Sequence, residues 1–294
     1  KPIVTTTACL WLVQSGQLTL DAPIAQWLPR WRGSDREHVT VEDLLSHSAG
    51  LTAHLPLYRD CTGRAEFEST ICTLPLEYAP RTQSVYSDLG FMLLAFVVET
   101  VSAHTLDSLF EHMCARGASR LHFRPRIGER TLVAPTGFDR WRGRVLQGEV
   151  HDRNAWALGG VAGHAGLFGT AEGVGRFARM VLNALAGADP GVDPALVRRF
   201  SQRSRVAGSS RALGWDTMLP TSSCGTRMSP SALGHTGYTG TSLWLDPARQ
   251  AYFVLLTNRV HPDDRNEEIL TIRPRFHDSA GAALNHVRGR QADL

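Results

Sequence analysis

A chain of 294 residues with a formal net charge of +3 is long enough to bury a substantial core, as one large domain or two intimate ones. Its arginines are scattered rather than gathered into a basic stripe, which argues against a nucleic-acid surface. Its longest apolar run, Phe91 to Val98, is far too short to span a bilayer.

Residues 2–15 carry apolar side chains at helical spacing, and Gly16 stops that helix. A turn-rich segment follows from Leu18 to Pro29. Glu42 to His47 reads as a short helix under Thr40 as N-cap. Asp88 to Ser102 predicts a helix with Leu89, Met92, Leu93, Phe96, Val97 and Val101 on one stripe. Residues 117–150 are irregular, basic and Pro/Gly-containing, so loops should dominate there. Gly159 to Gly169 is glycine-dense, and Ala171 to Leu185 predicts another amphipathic helix. From about residue 206 the character changes. Short extended runs at 212–217, 232–237, 241–246 and 251–257 are separated by turn residues. Tyr252-Phe253-Val254-Leu255-Leu256 is apolar on both alternating faces, so helices must cover both sides of its sheet. The short Pro247–Gln250 connection favours an antiparallel hairpin, and residues 276–288 predict a closing helix. The division expected is a mostly helical region, 1–205, and an antiparallel sheet region, 206–294.

Five cysteines, Cys9, Cys61, Cys72, Cys114 and Cys224, form no C-x-x-C pair; Cys9 reads as a small core residue, and Cys61 and Cys72 could pair in an oxidising compartment. The twelve histidines show no H-E-x-x-H or comparable spacing, so no metal and no cofactor is expected. Ser46-His47-Ser48-Ala49-Gly50 only imitates a nucleophile elbow, because the first Gly is missing and a helix, not a strand, precedes it.

Of 31 Lys and Arg side chains, the single lysine is Lys1. A primary amine can shed its proton where a guanidinium cannot, which points to chemistry at that position. Tyr86-Ser87-Asp88 stands just before the 88–102 helix, on a segment stiffened by Pro80, and His235-Thr236-Gly237 lies on a predicted strand. Acyl transfer needs a nucleophile, a base, a donor to the leaving group and a pocket for the oxyanion. In order and spacing these three features resemble the serine hydrolases of the β-lactamase and penicillin-binding-protein superfamily. The stretches 41–51, 148–168, 240–244 and 256–259 resemble it too, so the likeness spans nearly the whole chain. Arg81 after Pro80, and Ala103-His104, depart from its usual residues.

The resemblance implies an α+β fold of the β-lactamase/transpeptidase type, an antiparallel sheet flanked by helices plus a mostly helical subdomain. In S-x-x-K the nucleophilic serine precedes the lysine by three residues, which falls before Lys1. The chain is therefore expected to lack its nucleophile and the N-terminal strands, leaving the strand at 251–257 with an unpaired apolar edge. Tyr86 would shuttle protons. Asp88, where the family has Asn, would contact the substrate amide, although a carboxylate beside Lys1 favours the charged amine. His235 replaces the family's Lys and, with Thr236, would anchor a substrate carboxylate if neighbours hold it protonated. Gly237 would admit substrate backbone, Tyr238 would offer its N–H to the oxyanion, and His151 would line the cleft mouth.

The expected function is hydrolysis of D-Ala-D-Ala-type peptides of cell-wall precursors through an acyl-enzyme, outside the cytoplasm. Carboxylesterase or β-lactamase activity are alternatives within the same chemistry. An inactive fragment or binding module is the alternative of another class. The expected partner is a small-molecule or peptidoglycan-peptide substrate, with no nucleic acid.

Overall fold

Pro2 opens a π-helical turn, Pro2–Thr6, which runs into α1, Thr7–Gln14. The two pieces bury Val4, Ala8 and Leu12 on one side, and Gly16 at φ 72° ends the run. The computed structural model describes residues 1–114 and 120–292. α2, Val41–Leu45, is fixed by a capping box: Thr40 Oγ1 accepts from the Asp43 N–H at 3.3 Å, and Asp43 Oδ2 accepts from the Thr40 N–H at 2.9 Å. α3 spans Gly63–Thr73.

α4, Asp88–Ser102, has the bounds its apolar pattern predicts. The stripe expectation understates it, since every residue from Leu89 to Val98 is buried. The reason is its surroundings: α1, α2, α3 and α5 (Leu106–Cys114) pack around it. A helix apolar on all sides is a core helix, and each large side chain so buried contributes about 1.5–3 kcal/mol.

Of the stretch predicted as irregular, 117–150, residues 117–119 lie outside the described residues. The remainder is mostly turn, but β1 (Leu121–Phe123) pairs with the later β4 (Leu167–Gly169), and β2 (Phe138–Asp139) pairs with β3 (Arg144–Val145). Strands of two or three residues are too short to show a period of two, which is why the pattern missed them. α6 (Arg153–Ala157), α7 (Ala171–Ala186) and α8 (Pro194–Ser201) follow.

The late strands form one antiparallel sheet in the order β5 (Asp216–Thr217), β6 (Leu233–Thr236), β7 (Ser242–Asp246), β8 (Ala251–Leu255). β5 is shorter than the predicted 212–217 run because the chain turns at Gly214, whose φ is 76°. A Cβ there would meet Thr6 Oγ1 at 1.8 Å. Both faces of β8 are covered. Tyr252 accepts from Arg179 of α7, and Phe253 meets His277 of α9 (Ile269–Ala292) edge-on. Among the described residues β8 pairs only with β7, so it is the edge of the sheet. α9 begins seven residues before the predicted 276.

Cys61 and Cys72, whose pairing the sequence leaves open, are free thiols. Cys61 Sγ lies 3.3 Å from Thr70 Oγ1; two residues further along α3, Cys72 points roughly 200° around the helix, into the core. One apolar cluster runs from Val4 through α4 and α7 to Leu245 of β7, joining the helical part to the sheet. No single helix among the described residues is long and apolar enough to cross a membrane.

Candidate active site

Lys1 is the centre of the site, and its side chain is 1% exposed. The turn after it places its ammonium 3.5 Å from the centroid of the Tyr86 ring and 5.2 Å from that of Phe91. Nζ donates to Asp88 Oδ1 at 2.6 Å. Two effects oppose each other here. Burial lowers the pKa, whereas the charge and hydrogen bond of Asp88 raise it. Burial wins, and the pKa falls from 10.5 to about 8. Asp88 favours the charged amine, as the sequence implies, but desolvation outweighs it and leaves a fraction of free base near neutrality.

Tyr86 and Asp88 owe their placement to Ser87 between them. Its Oγ accepts from the Gly90 N–H at 3.2 Å as the N-cap of α4 and donates to Thr52 O at 2.7 Å. Its own N–H donates to His47 Nδ1 at 3.0 Å. His47 adopts φ 57°, and its ring lies 4.7 Å from that of Tyr86. Burial and the charges of Lys1 and Arg211 hold its pKa well below 6.5, so it is a neutral acceptor. Burial and the charge of Asp88 push the Tyr86 phenol upward, which keeps it protonated. Burial alone would raise the Asp88 carboxyl, but the nearby His54 imidazole and the charge and hydrogen bond of Lys1 hold it well below the usual carboxylate range. His54 Nδ1 stands 3.7 Å from Asp88 Oδ2, so amine and imidazole flank opposite oxygens of one carboxylate.

β6 brings His235 against Tyr86, 5.8 Å between ring centroids. Its Nδ1–H donates to Thr236 O at 2.7 Å, and its buried Nε2 has no partner. Burial and the positive charges of Lys1 and Arg211 hold its pKa well below 6.5. Burial and neighbouring cations therefore keep this imidazole neutral, so the condition on which it would anchor a carboxylate as a cation is not met. Thr236 pairs with Ser242 in the sheet register, and Gly237 N–H donates to Thr241 O at 2.8 Å. Tyr238 is exposed; its ring stacks on His151 at 5.8 Å, and its hydroxyl donates to Asp264 at 2.8 Å.

The structure thus gathers Lys1, Tyr86, Asp88 and His235 into one cluster, with Thr236, Gly237, Tyr238 and His151 continuing from it along the strand and loop. Sequence reasoning gave no site role to His47, His54, His164 or Arg211. Arg211 places its guanidinium 4.9 Å from the Tyr86 centroid, a second cation against the ring that Lys1 meets. His164 is buried and bonds Asp152 Oδ1 at 3.0 Å, while Asp152 also caps α6 through the Ala155 N–H. The family-like stretches 41–51 and 148–168 contain His47 and His164; His54 and Arg211 lie in neither. Ser46 and Ser48 are buried and bonded to one another at 2.9 Å, so neither is an exposed nucleophile. Among the described residues no group of His, Cys, Asp and Glu could hold a metal ion.

The family model described as Beta-lactamase matches residues 1–274. Two relatives carry the provisional name D-alanyl-D-alanine carboxypeptidase. One, from Salmonella gallinarum, is 30% identical over 92% of this chain and 70% of its own length. The other, from Escherichia coli K12, is 30% identical over 89% of this chain and 68% of its own. A class C β-lactamase structure superposes with a TM-score of 0.71 at 17% identity, covering 94% of this chain and 79% of its own. EstCE1, a hydrolase with promiscuous acyltransferase activity, superposes at 0.70 and 20% identity, covering 94% and 82%. At those identities the likeness establishes the β-lactamase/transpeptidase-like α+β fold.

Proposed function

The chain belongs to the Beta-lactamase family, and from that premise we propose that it acts as a serine acyl hydrolase through an acyl-enzyme, on D-Ala-D-Ala-terminated peptides. The observation that carries the reading is the cluster itself: a buried amine of pKa about 8 against a phenol, with an imidazole against the same ring. The family's S-x-x-K spacing puts the nucleophile three positions before Lys1. Lys1 Nζ, as free base, takes the serine proton while Oγ bonds to the substrate carbonyl carbon. Tyr86 relays that proton to the leaving nitrogen as the C–N bond breaks, and water then cleaves the acyl-oxygen bond. The Tyr238 N–H holds the oxyanion. Asp88 orients Lys1 and accepts from a substrate amide N–H. Thr236 offers its hydroxyl to the substrate carboxylate.

One observation favours a second reading, a carboxylesterase. Neutral His235 carries its only proton on Nδ1, already donated to Thr236 O, so Nε2 presents a lone pair rather than a charge. A substrate without a terminal carboxylate suits that group better. Turnover of a D-Ala-D-Ala peptide, an aryl ester and a cephalosporin by the polypeptide bearing serine three positions before Lys1 separates the readings. Rapid ester hydrolysis without D-Ala release would replace the first with the second.

A further inference from the structure

The loop from Gly237 to Thr241 has its carbonyl oxygens held one after another. Arg273 Nη2, from α9, donates to Gly237 O at 2.6 Å and to Thr241 O at 3.0 Å. Arg259 Nε donates to Tyr238 O at 2.7 Å, and the Arg259 N–H to Thr239 O at 3.0 Å. Thr257 Oγ1 donates to Gly240 O at 2.6 Å. The Gly237 N–H is used across the loop, on Thr241 O. The Tyr238 N–H, by contrast, meets no acceptor among the described residues. A loop with every carbonyl captured is fixed in place, and its Tyr238 N–H is left free to donate.

Arg273 is the unusual member of this set. It is 7% exposed, and among the described residues no carboxylate pairs with it; its buried Nε has no partner either. A desolvated cation without an anion is costly, so the fold retains it against a penalty. Its bond to Gly237 O matters because Gly237 C=O and Tyr238 N–H belong to the same peptide group. A cationic donor on the oxygen draws electron density across that peptide and strengthens its N–H as a donor.

We propose that Arg273 is a positioning residue for acyl transfer, polarising and fixing the Gly237–Tyr238 peptide so that the Tyr238 N–H stabilises the oxyanion. The inference rests on the acyl-hydrolase reading above. It gives the lone buried cation a counter-charge that exists only in the transition state, where preorganised donors have their largest effect.

The test compares wild type, Arg273→Gln and Arg273→Lys in the polypeptide bearing serine three positions before Lys1. The measurements are single-turnover acylation by an aryl ester and affinity for an aryl boronic acid, whose serine adduct is a tetrahedral anion. Arg273→Gln should slow acylation about 10- to 100-fold, somewhat less than deleting an oxyanion donor outright, and weaken the boronate by a similar factor, with KM changed less than about threefold. Arg273→Lys, which keeps the charge and at least one bond, should recover most of both losses. Wild-type acylation rates in Arg273→Gln would overturn the inference. So would a slowed rate with undiminished boronate affinity, which is the mark of a merely structural residue. Should the Gln variant not fold, the Lys variant decides alone: any rate it loses must be matched in boronate affinity. If the wild-type polypeptide is never acylated, the parent reading falls and this inference with it.

Discussion

Lys1 Nζ lies 2.6 Å from Asp88 Oδ1, yet burial brings its pKa down to about 8 despite that attraction. The carboxylate therefore moderates a larger effect and sets how much free amine is present near neutrality. Asp88→Asn should lower the Lys1 pKa further, moving the acid limb of the acylation-rate profile to lower pH. An acid limb unmoved, or moved upward, would show that Asp88 does not govern the amine.

The same shift affects stability. Lys1 holds its proton less tightly when folded than when unfolded, so between about pH 8 and its ordinary 10.5 the unfolded chain binds more protons and stability rises with pH. The full span corresponds to roughly 3 kcal/mol for a group this buried. Urea unfolding of the wild type should show that rise, and Lys1→Met should lack it. Parallel curves for the two proteins would contradict the burial argument.

Tyr86→Phe separates chemistry from packing. The ring that meets Lys1 at 3.5 Å is retained, so the melting temperature should barely change. Acylation should fall about 10²- to 10⁴-fold through loss of the proton relay. A large loss of stability with activity kept would reverse those assignments.

Gly163 lets the 163–166 turn approach α4. A Cβ there would stand 1.9 Å from Phe91 O, a backbone atom that cannot swing aside. Thr5 Oγ1 donates to Gly163 O at 2.7 Å, tying the turn to the segment that follows Lys1. Gly163→Ala should cost about 1–3 kcal/mol in urea unfolding, as overpacking does. It should also slow acylation, because the turn and the lysine segment move together. A fully stable variant would mean that the turn relaxes freely.

The sequence made some of this legible and hid the rest for physical reasons. α4 was readable because Phe91 to Val98 is a continuous apolar run, and the late strands because turn residues separate them. Lys1, Tyr86 and His235 stood out by uniqueness or by motif. His54, Arg211 and Arg273 did not, because their meaning comes from partners far along the chain: Asp88, the Tyr86 ring and the loop carbonyls. The charge state of His235 was also unreadable, since burial among cations decides it. Likewise the early end of the predicted 212–217 strand reflects a single contact, Gly214 against Thr6.

Ser87 occupies the position that the motif leaves unspecified, yet it makes three anchoring bonds. Its hydroxyl and amide reach Gly90, Thr52 and His47. A mutational scan that treats this position as a spacer would misjudge it. Tyr86 and Asp88 share a single fastening, and loosening it would misalign the proton relay and the amine's counter-ion together.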